Sequence, residues 1–209
     1  MKTLEQKVLK KIAKKSLFVK LVNTERNESL VEQSISKEFL DLSAVVRVVL
    51  KMDKEGMASM ALSKEDAEIL GMTEEEIYAV ALKNTLRLFP PKLMNLEGYV
   101  EMSIGAKLLF VEDEVTTYIL TNQKEVDGAF YLMSQELVGA IAEMLEDDLY
   151  ILPSSVNEVL LVRASEVREG VDGLKAMVRD VNETIVAEKE ILSYNVYHYD
   201  KEHGITIAA

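Results

Sequence analysis

The chain has no cysteine and no tryptophan, and its 209 residues include only two histidines, His198 and His203. Without Cys there is no disulfide framework, no thiolate zinc site, no iron–sulfur cluster and no Cys nucleophile. That inventory suits a reducing, cytoplasmic setting. Glycine and proline are scarce, at nine and three residues, roughly half their usual share, and an all-β sandwich or barrel needs more turn residues than that. No stretch approaches the ~18 consecutive apolar residues of a membrane-spanning helix. Lysine recurs too often near the start for a signal peptide to be expected. Gly-x-Gly-x-x-Gly, the phosphate loop and the Walker lysine are all missing, which removes the usual nucleotide-binding signatures.

What is present describes a folded chain. Hydrophobic residues make up 48% and charged residues 29%, and a chain of this length buries on the order of 70% of the surface its unfolded form exposes. The 36 acidic and 24 basic side chains give a net charge of −12. Their distribution is uneven, because residues 1–20 hold seven Lys and one Glu, a net of +6, which leaves −18 on the rest. An acidic body repels phosphates, so no nucleic acid binding by the body is expected. In the basic leader Thr3 can cap a helix over residues 4–15 with an apolar stripe of Leu4, Val8 and Ile12. A helix that short is not stable alone in water. Its stripe needs the acidic body, an anionic membrane surface or an acidic partner, and docking on the body is favoured because amphipathic helices bury their apolar face within their own domain.

Along the chain, residues 17–22 read as β-like and 23–29 as a polar turn. Residues 43–52 alternate as a long strand, and Asp53 to Gly56 turns it into a second strand over 57–62, with Gly56 supplying a positive φ. Ser63 opens a short helix that Gly71 closes. Thr73 and Glu76 form a capping box for a helix to about residue 88, with Ile77, Tyr78, Ala81, Leu82 and Leu86 inside. A further helix is expected over 95–103, strands over 115–121 and 129–132, and a helix from Ser134 to about 146 with Leu137, Ile141, Met144 and Leu145 inside. Strands at 149–152 and 158–163 precede a helix capped by Asp172, with Leu174, Met177, Val178, Val181 and Ile185 inside, and a C-terminal hairpin. The class is α+β, an antiparallel or mixed sheet built from hairpins with helices packed on one side. The expected division is a basic helix over 1–20, an N-terminal lobe over 21–104 and a C-terminal lobe over 105–209, with one continuous domain as the alternative.

Several words resemble an uncharacterised family of gut Firmicutes proteins, domain of unknown function 5688. They are Leu21-Val22-Asn23-Thr24-Glu25-Arg26-Asn27-Glu28, Phe39-Leu40-Asp41-Leu42, Thr73-Glu74-Glu75-Glu76, Ile119-Leu120-Thr121-Asn122, Asp127-Gly128-Ala129, Tyr150-Ile151-Leu152-Pro153-Ser154-Ser155 and Val178-Arg179-Asp180-Val181-Asn182. The resemblance implies a bacterial setting and brings no activity, cofactor or partner with it.

Four constellations could carry chemistry. Ser154 or Ser155, on a turn between strands, could act as a nucleophile, but no Gly-x-Ser-x-Gly elbow surrounds them and Pro153 marks an ordinary turn. His198, Asp200 and His203 flank one turn and are a legitimate zinc or iron set, yet they lack helical His-x-x-x-His spacing. Glu112-Asp113-Glu114 and Glu146-Asp147-Asp148 could hold divalent cations, although in so acidic a chain solvated surface explains them. Glu25 and Arg26 could orient a ligand or bracket a loop. The ten Met read as core filler, or as an adaptable binding surface where exposed. The reading is a non-catalytic binding or interaction protein with a protein or peptide partner and no cofactor. The alternative is a hydrolase or metal-dependent enzyme using carboxylates or the C-terminal His pair. Candidate contact residues are Glu25, Arg26, Asn122, Ser154, Ser155, Asn157 and Glu158.

Overall fold

The computed structural model describes residues 14–53, 56–97, 99 and 115–209. Most of the expected leader helix and the Glu112-Asp113-Glu114 cluster lie outside the described residues. The chain forms two compact units, divided between Pro90 and Pro91. Every strand pairing among the described residues is antiparallel, as the α+β reading requires.

In the first unit the long alternating segment is the strand β3 (Leu42–Met52). Along one edge it pairs with β1 (Leu17–Asn23), from Leu17 opposite Val48 to Asn23 opposite Leu42. β2 (Ser36–Phe39) and β4 (Met57–Ala61) share its other edge end to end. The hairpin forms where expected, with the Asp53 amide donating to the Gly56 carbonyl at 3.1 Å and Gly56 at φ 147°. The register shifts between Val49 and Lys51. This bulge leaves Leu50 as the extra residue, 64% exposed. A short helix, α1 (Glu28–Gln33), extends the polar stretch that was read as a turn.

Both capping boxes are present. Ser63 and Asp66 open α2 (Lys64–Leu70), which Gly71 closes in the left-handed conformation. Thr73 Oγ1 accepts from the Glu76 amide at 3.2 Å and Glu76 accepts from the Thr73 amide at 3.0 Å, opening α3 (Glu74–Leu88). Ile77, Tyr78 and Ala81 are buried as expected, but Leu82 and Leu86 are exposed and Thr85 takes the buried place. The reason is a hydrogen bond. Thr85 Oγ1 donates to the Ala81 carbonyl at 2.8 Å and accepts the backbone N–H of Val19 at 2.9 Å, so α3 turns its hydroxyl to the edge strand β1. A polar group on the packing face is invisible to a reading based on apolar period. The Phe18 and Phe89 rings then meet edge to face, 5.2 Å apart.

The second unit is one six-stranded sheet. Its strands are β5 (Pro91–Asn95), β6 (Thr117–Asn122), β7 (Leu149–Leu152), β8 (Val159–Arg163), β9 (Tyr197–Asp200) and β10 (Gly204–Ile207), in the order β10-β9-β7-β8-β6-β5. β7 and β8 are apolar on both faces, and both faces are used. Leu152 and Val162 pack under α5 (Gly170–Thr184) with Leu174 and Val178. On the opposite face, Tyr199 sits beside Leu149 and its hydroxyl abuts Gly139 of α4 (Gln135–Leu145).

Several sequence expectations are corrected here. Residues 91–95 are a strand, and the helix expected from residue 95 begins at Leu96, with residues 96, 97 and 99 helical and the remainder of the expected span outside the described residues. Residues 129–132 belong to a 3-10 helix (Gly128–Met133), because Gly128 and Ala129 give their amides to the carbonyls of Asn157 and Val156 instead of to a neighbouring strand. In α4 the buried residues are Val138, Ile141 and Ala142, with Met144 exposed. α5 begins at Gly170, placing Asp172 in its first turn; its buried face is Leu174, Val178 and Asn182, while Met177 and Ile185 are exposed. Asn182 is inside because its Nδ2 donates to the Ser193 carbonyl at 2.9 Å.

Replacing Thr85 by Val keeps the shape and strands the Val19 amide. The expected loss is about 1–3 kcal/mol, the usual cost of a buried unsatisfied donor. Thr73→Ala should cost ~1 kcal/mol through the lost cap. Both are read as lower denaturant midpoints with unchanged slope.

Candidate functional site

Among the sequence-nominated residues, those of the second unit gather around the loop that follows β6. Asn122 ends the strand and brackets its own turn, its Nδ2 donating to the Val126 carbonyl at 2.6 Å and its Oδ1 accepting from the Lys124 amide at 2.8 Å. The turn holds two non-glycine residues in the left-handed region, Glu125 and Asp127. Such backbone costs energy and persists only where surroundings enforce it. Asn157 does the enforcing. Its Oδ1 accepts the Asp127 amide at 3.1 Å, while its backbone carbonyl accepts both the Gly128 amide at 3.0 Å and Thr121 Oγ1 at 2.7 Å. Gly128 is required there, since a Cβ would collide with the Asn157 carbonyl and the Thr121 hydroxyl.

Asn157 is itself held from behind. Ser155 Oγ accepts the Asn157 amide at 3.0 Å and donates to Glu158 Oε1 at 2.7 Å. Both hydrogen-bonding directions of this hydroxyl are therefore used, and Ser155 is buried, with no His beside it in its bonding. Ser154 lies just outside the cluster, its amide bonded to the Leu152 carbonyl at 2.9 Å. Glu25 and Arg26 belong to the first unit, in an exposed 3-10 turn where the Arg26 amide donates to Asn23 Oδ1 at 2.9 Å. Thr24, just before them, bonds the buried Ser43 hydroxyl at 2.9 Å.

Thr121, Asn122 and the word Asp127-Gly128-Ala129 thus meet Asn157, and through it Ser155, in space. Residues 4–201 match the family of unknown function DUF5688. The chain belongs to that family. No curated protein and no solved structure matches it. In this DUF5688 chain three separated words converge on a buried polar bracket that fixes a strained loop.

The remaining candidates lie at the surface, with Asp147, His198 and Asp200 half-buried and Glu146, Asp148 and His203 exposed. Asp200 closes the β9–β10 turn, accepting the amides of Glu202 at 2.8 Å and His203 at 2.7 Å. Both histidines approach the same carboxylate, His203 Nδ1 at 3.0 Å and His198 Nδ1 at 3.6 Å. The His203 backbone bond, followed by those from its side chain and Glu202, holds the Asp200 carboxyl below its ordinary pKa. Asp147 accepts from the Ser165 side chain and amide, and those bonds lower its pKa likewise. Among the described residues no group of three His, Asp or Glu side chains is arranged to hold a metal ion.

One feature of the second unit escaped the sequence reading. Beside the first turn of α5 lies a cavity of about 400 Å³, lined mainly by apolar side chains that include Leu96, Val115, Leu160, Val162, Leu174 and Met177. Arg168, Glu169 and Thr117 are its polar neighbours, and Gly170 and Gly173 keep the helix start thin. The exposed Met177 was its only sequence signal.

Gly128→Ala should cost about 1–3 kcal/mol by overpacking the bracket, and Asn157→Ala a similar amount by orphaning the Asp127 amide that Asn157 Oδ1 accepts, both read by denaturant titration. A carboxyl with a lowered folded pKa stabilises above the ordinary Asp value and loses that contribution as pH falls through the lowered one. Stability should therefore decline below about pH 4, and Asp200→Asn, which keeps an acceptor, should flatten that decline in thermal melts.

Proposed function

We propose that this DUF5688 chain is a non-catalytic binding protein of the bacterial cytoplasm, whose cavity beside α5 takes an apolar segment of a protein or peptide partner. The observation that carries the reading is the cavity itself: about 400 Å³ of space lined largely by aliphatic side chains and Met177. Sites of this volume and lining bind through apolar contact, with a few polar groups setting orientation. Arg168, Glu169 and Thr117, which line the cavity, would serve as those polar groups.

The polar inventory supports the same reading. Ser155, Asn157 and Glu158 hydrogen-bond one another and the neighbouring loop, an arrangement suited to holding backbone. The strongly acidic character of residues 21–209 disfavours nucleic acid as the partner. The absence of Cys agrees with a reducing compartment, and no helix among the described residues is long and apolar enough to cross a membrane.

The test is selection of displayed random peptides on the full chain, with affinities measured by titration. Peptides carrying apolar residues should emerge, and Met177→Asp should weaken them at least tenfold. Met177 is 54% exposed, so the change spares the fold. Unchanged affinity in that variant would overturn the reading, as would hydrolysis of ester or peptide substrates that Ser155→Ala abolishes while melting like the parent chain.

A further inference from the structure

The edge of a sheet presents a row of backbone donors and acceptors that a further strand can pair with, and folded proteins blunt such edges with charges, proline or covering groups. Among the described residues the strands that pair on one side only are β1, β2, β4, β5 and β10. Four of them carry such a device. On β1 the Val19 amide is taken by Thr85 Oγ1, and β2 carries the exposed Lys37 and Glu38. On β4 the Arg47 guanidinium donates to the Ser59 carbonyl at 2.9 Å, while β5 opens on Pro91 and carries Lys92, ion-paired with Glu125. β10 has none of these. Gly204-Ile205-Thr206-Ile207 holds no charge and no proline, and runs in unbroken register along β9.

The pairing fixes which backbone groups of β10 face outward. The Ala208 amide donates to the Val196 carbonyl at 2.8 Å, in the same register that sets Thr206 opposite His198. Bonded and unbonded pairs alternate along an antiparallel ladder, so the N–H and C=O groups of Ile205 and Ile207 point away from β9. Their side chains share one face of the sheet. Ile205 stands opposite Tyr199, whose hydroxyl abuts Gly139 of α4, and is only 5% exposed. Ile207, two residues further along that face, is 41% exposed.

We propose that β10 pairs antiparallel with β10 of a second copy of this chain, about a two-fold axis at Thr206. The strand is its own complement in that register. Ile205 falls opposite the second copy's Ile207 and the reverse, so the outward amides and carbonyls of both residues exchange bonds, and each exposed Ile207 gains a buried Ile205 as its neighbour. Thr206 meets its own counterpart. Gly204 meets Ala208, which puts the charged turn from Asp200 to His203 of each copy past the end of the other's β10. That separation keeps like charges apart in a chain of net charge −12. The contact is closed, because each copy uses the same edge, and a contact this small makes a weak, reversible dimer.

In the full chain, sedimentation equilibrium should show monomer and dimer in reversible exchange, and hydrogen exchange at the Ile205 and Ile207 amides should slow as protein concentration rises. Ile207→Pro removes an outward donor and leaves the ladder with β9 intact. It should weaken the dimer about tenfold or more, the effect of two hydrogen bonds lost per dimer. Ile207→Lys, which keeps the amide and adds a charge to the edge, should act in the same direction. Since the chain lacks cysteine, Thr206→Cys should oxidise to a disulfide-linked dimer faster than Lys201→Cys in the exposed turn. A chain that stays monomeric up to millimolar concentration, a dimer that both Ile207 variants leave intact, or equal oxidation of the two Cys variants would each overturn the proposal. So would a monomeric chain whose Ile205 and Ile207 amides become protected only when a synthetic peptide of alternating Val and Thr is added, because the edge would then belong to a foreign strand.

Discussion

Backbone amides at the margins of a sheet must find partners, and in this protein side chains or loop carbonyls from other elements supply them. In the first unit the outward amide of Val19 on the edge strand is taken by Thr85 Oγ1, which fixes how α3 sits on β1. In the second unit the loop leaving β6 has its amides taken by Asn157, once through Oδ1 and once through the carbonyl. The rest of each unit follows from these ties. The Phe18 and Phe89 contact forms because Thr85 sets the rotation of α3, and the 3-10 helix is buried under the sheet because its first two amides are already committed.

That economy of polar groups bears on function. Ser155, read alone in sequence, is a hydroxyl on a turn after proline; in the fold it accepts from one backbone amide and donates to Glu158, so both of its hydrogen-bonding directions are used. Asn157 is the better-connected residue, and it works on backbone. The strained conformations of Glu125 and Asp127 are thereby explained by architecture, through Asn122 within the turn and Asn157 across it. With the polar words occupied in this way, the open surfaces among the described residues include two apolar ones, the cavity beside α5 and the outer face of α3. Both feature residues whose exposure runs against their hydropathy.

The electrostatics add a second layer. Asp147 and Asp200 are half-buried carboxylates, and both end turns by accepting backbone amides. Their charge stabilises local geometry near neutral pH. The two histidines approach Asp200 from one strand and from the adjoining turn, so the hairpin explains their proximity without requiring a ligand.

Local chemistry made much of this legible in advance. The capping boxes at Ser63 and Thr73, the left-handed Gly71, the hairpin at Gly56 and the strands over 17–22, 43–52 and 149–152 are each dictated by residues within a few positions of one another, and each forms. The sequence by itself therefore determined the α+β class and most element starts. What only the tertiary structure decided was which face of each helix turns inward and where separated polar words meet. Thr85 and Asn182 are buried, and Leu82, Leu86 and Met177 exposed, because hydrogen bonds to distant backbone, from Val19 and to Ser193, outweigh the apolar period that a helix shows on its own. Residues 129–132 failed as a strand for the same reason: their segment's amides are claimed by a loop about thirty residues away, and no local pattern carries that information.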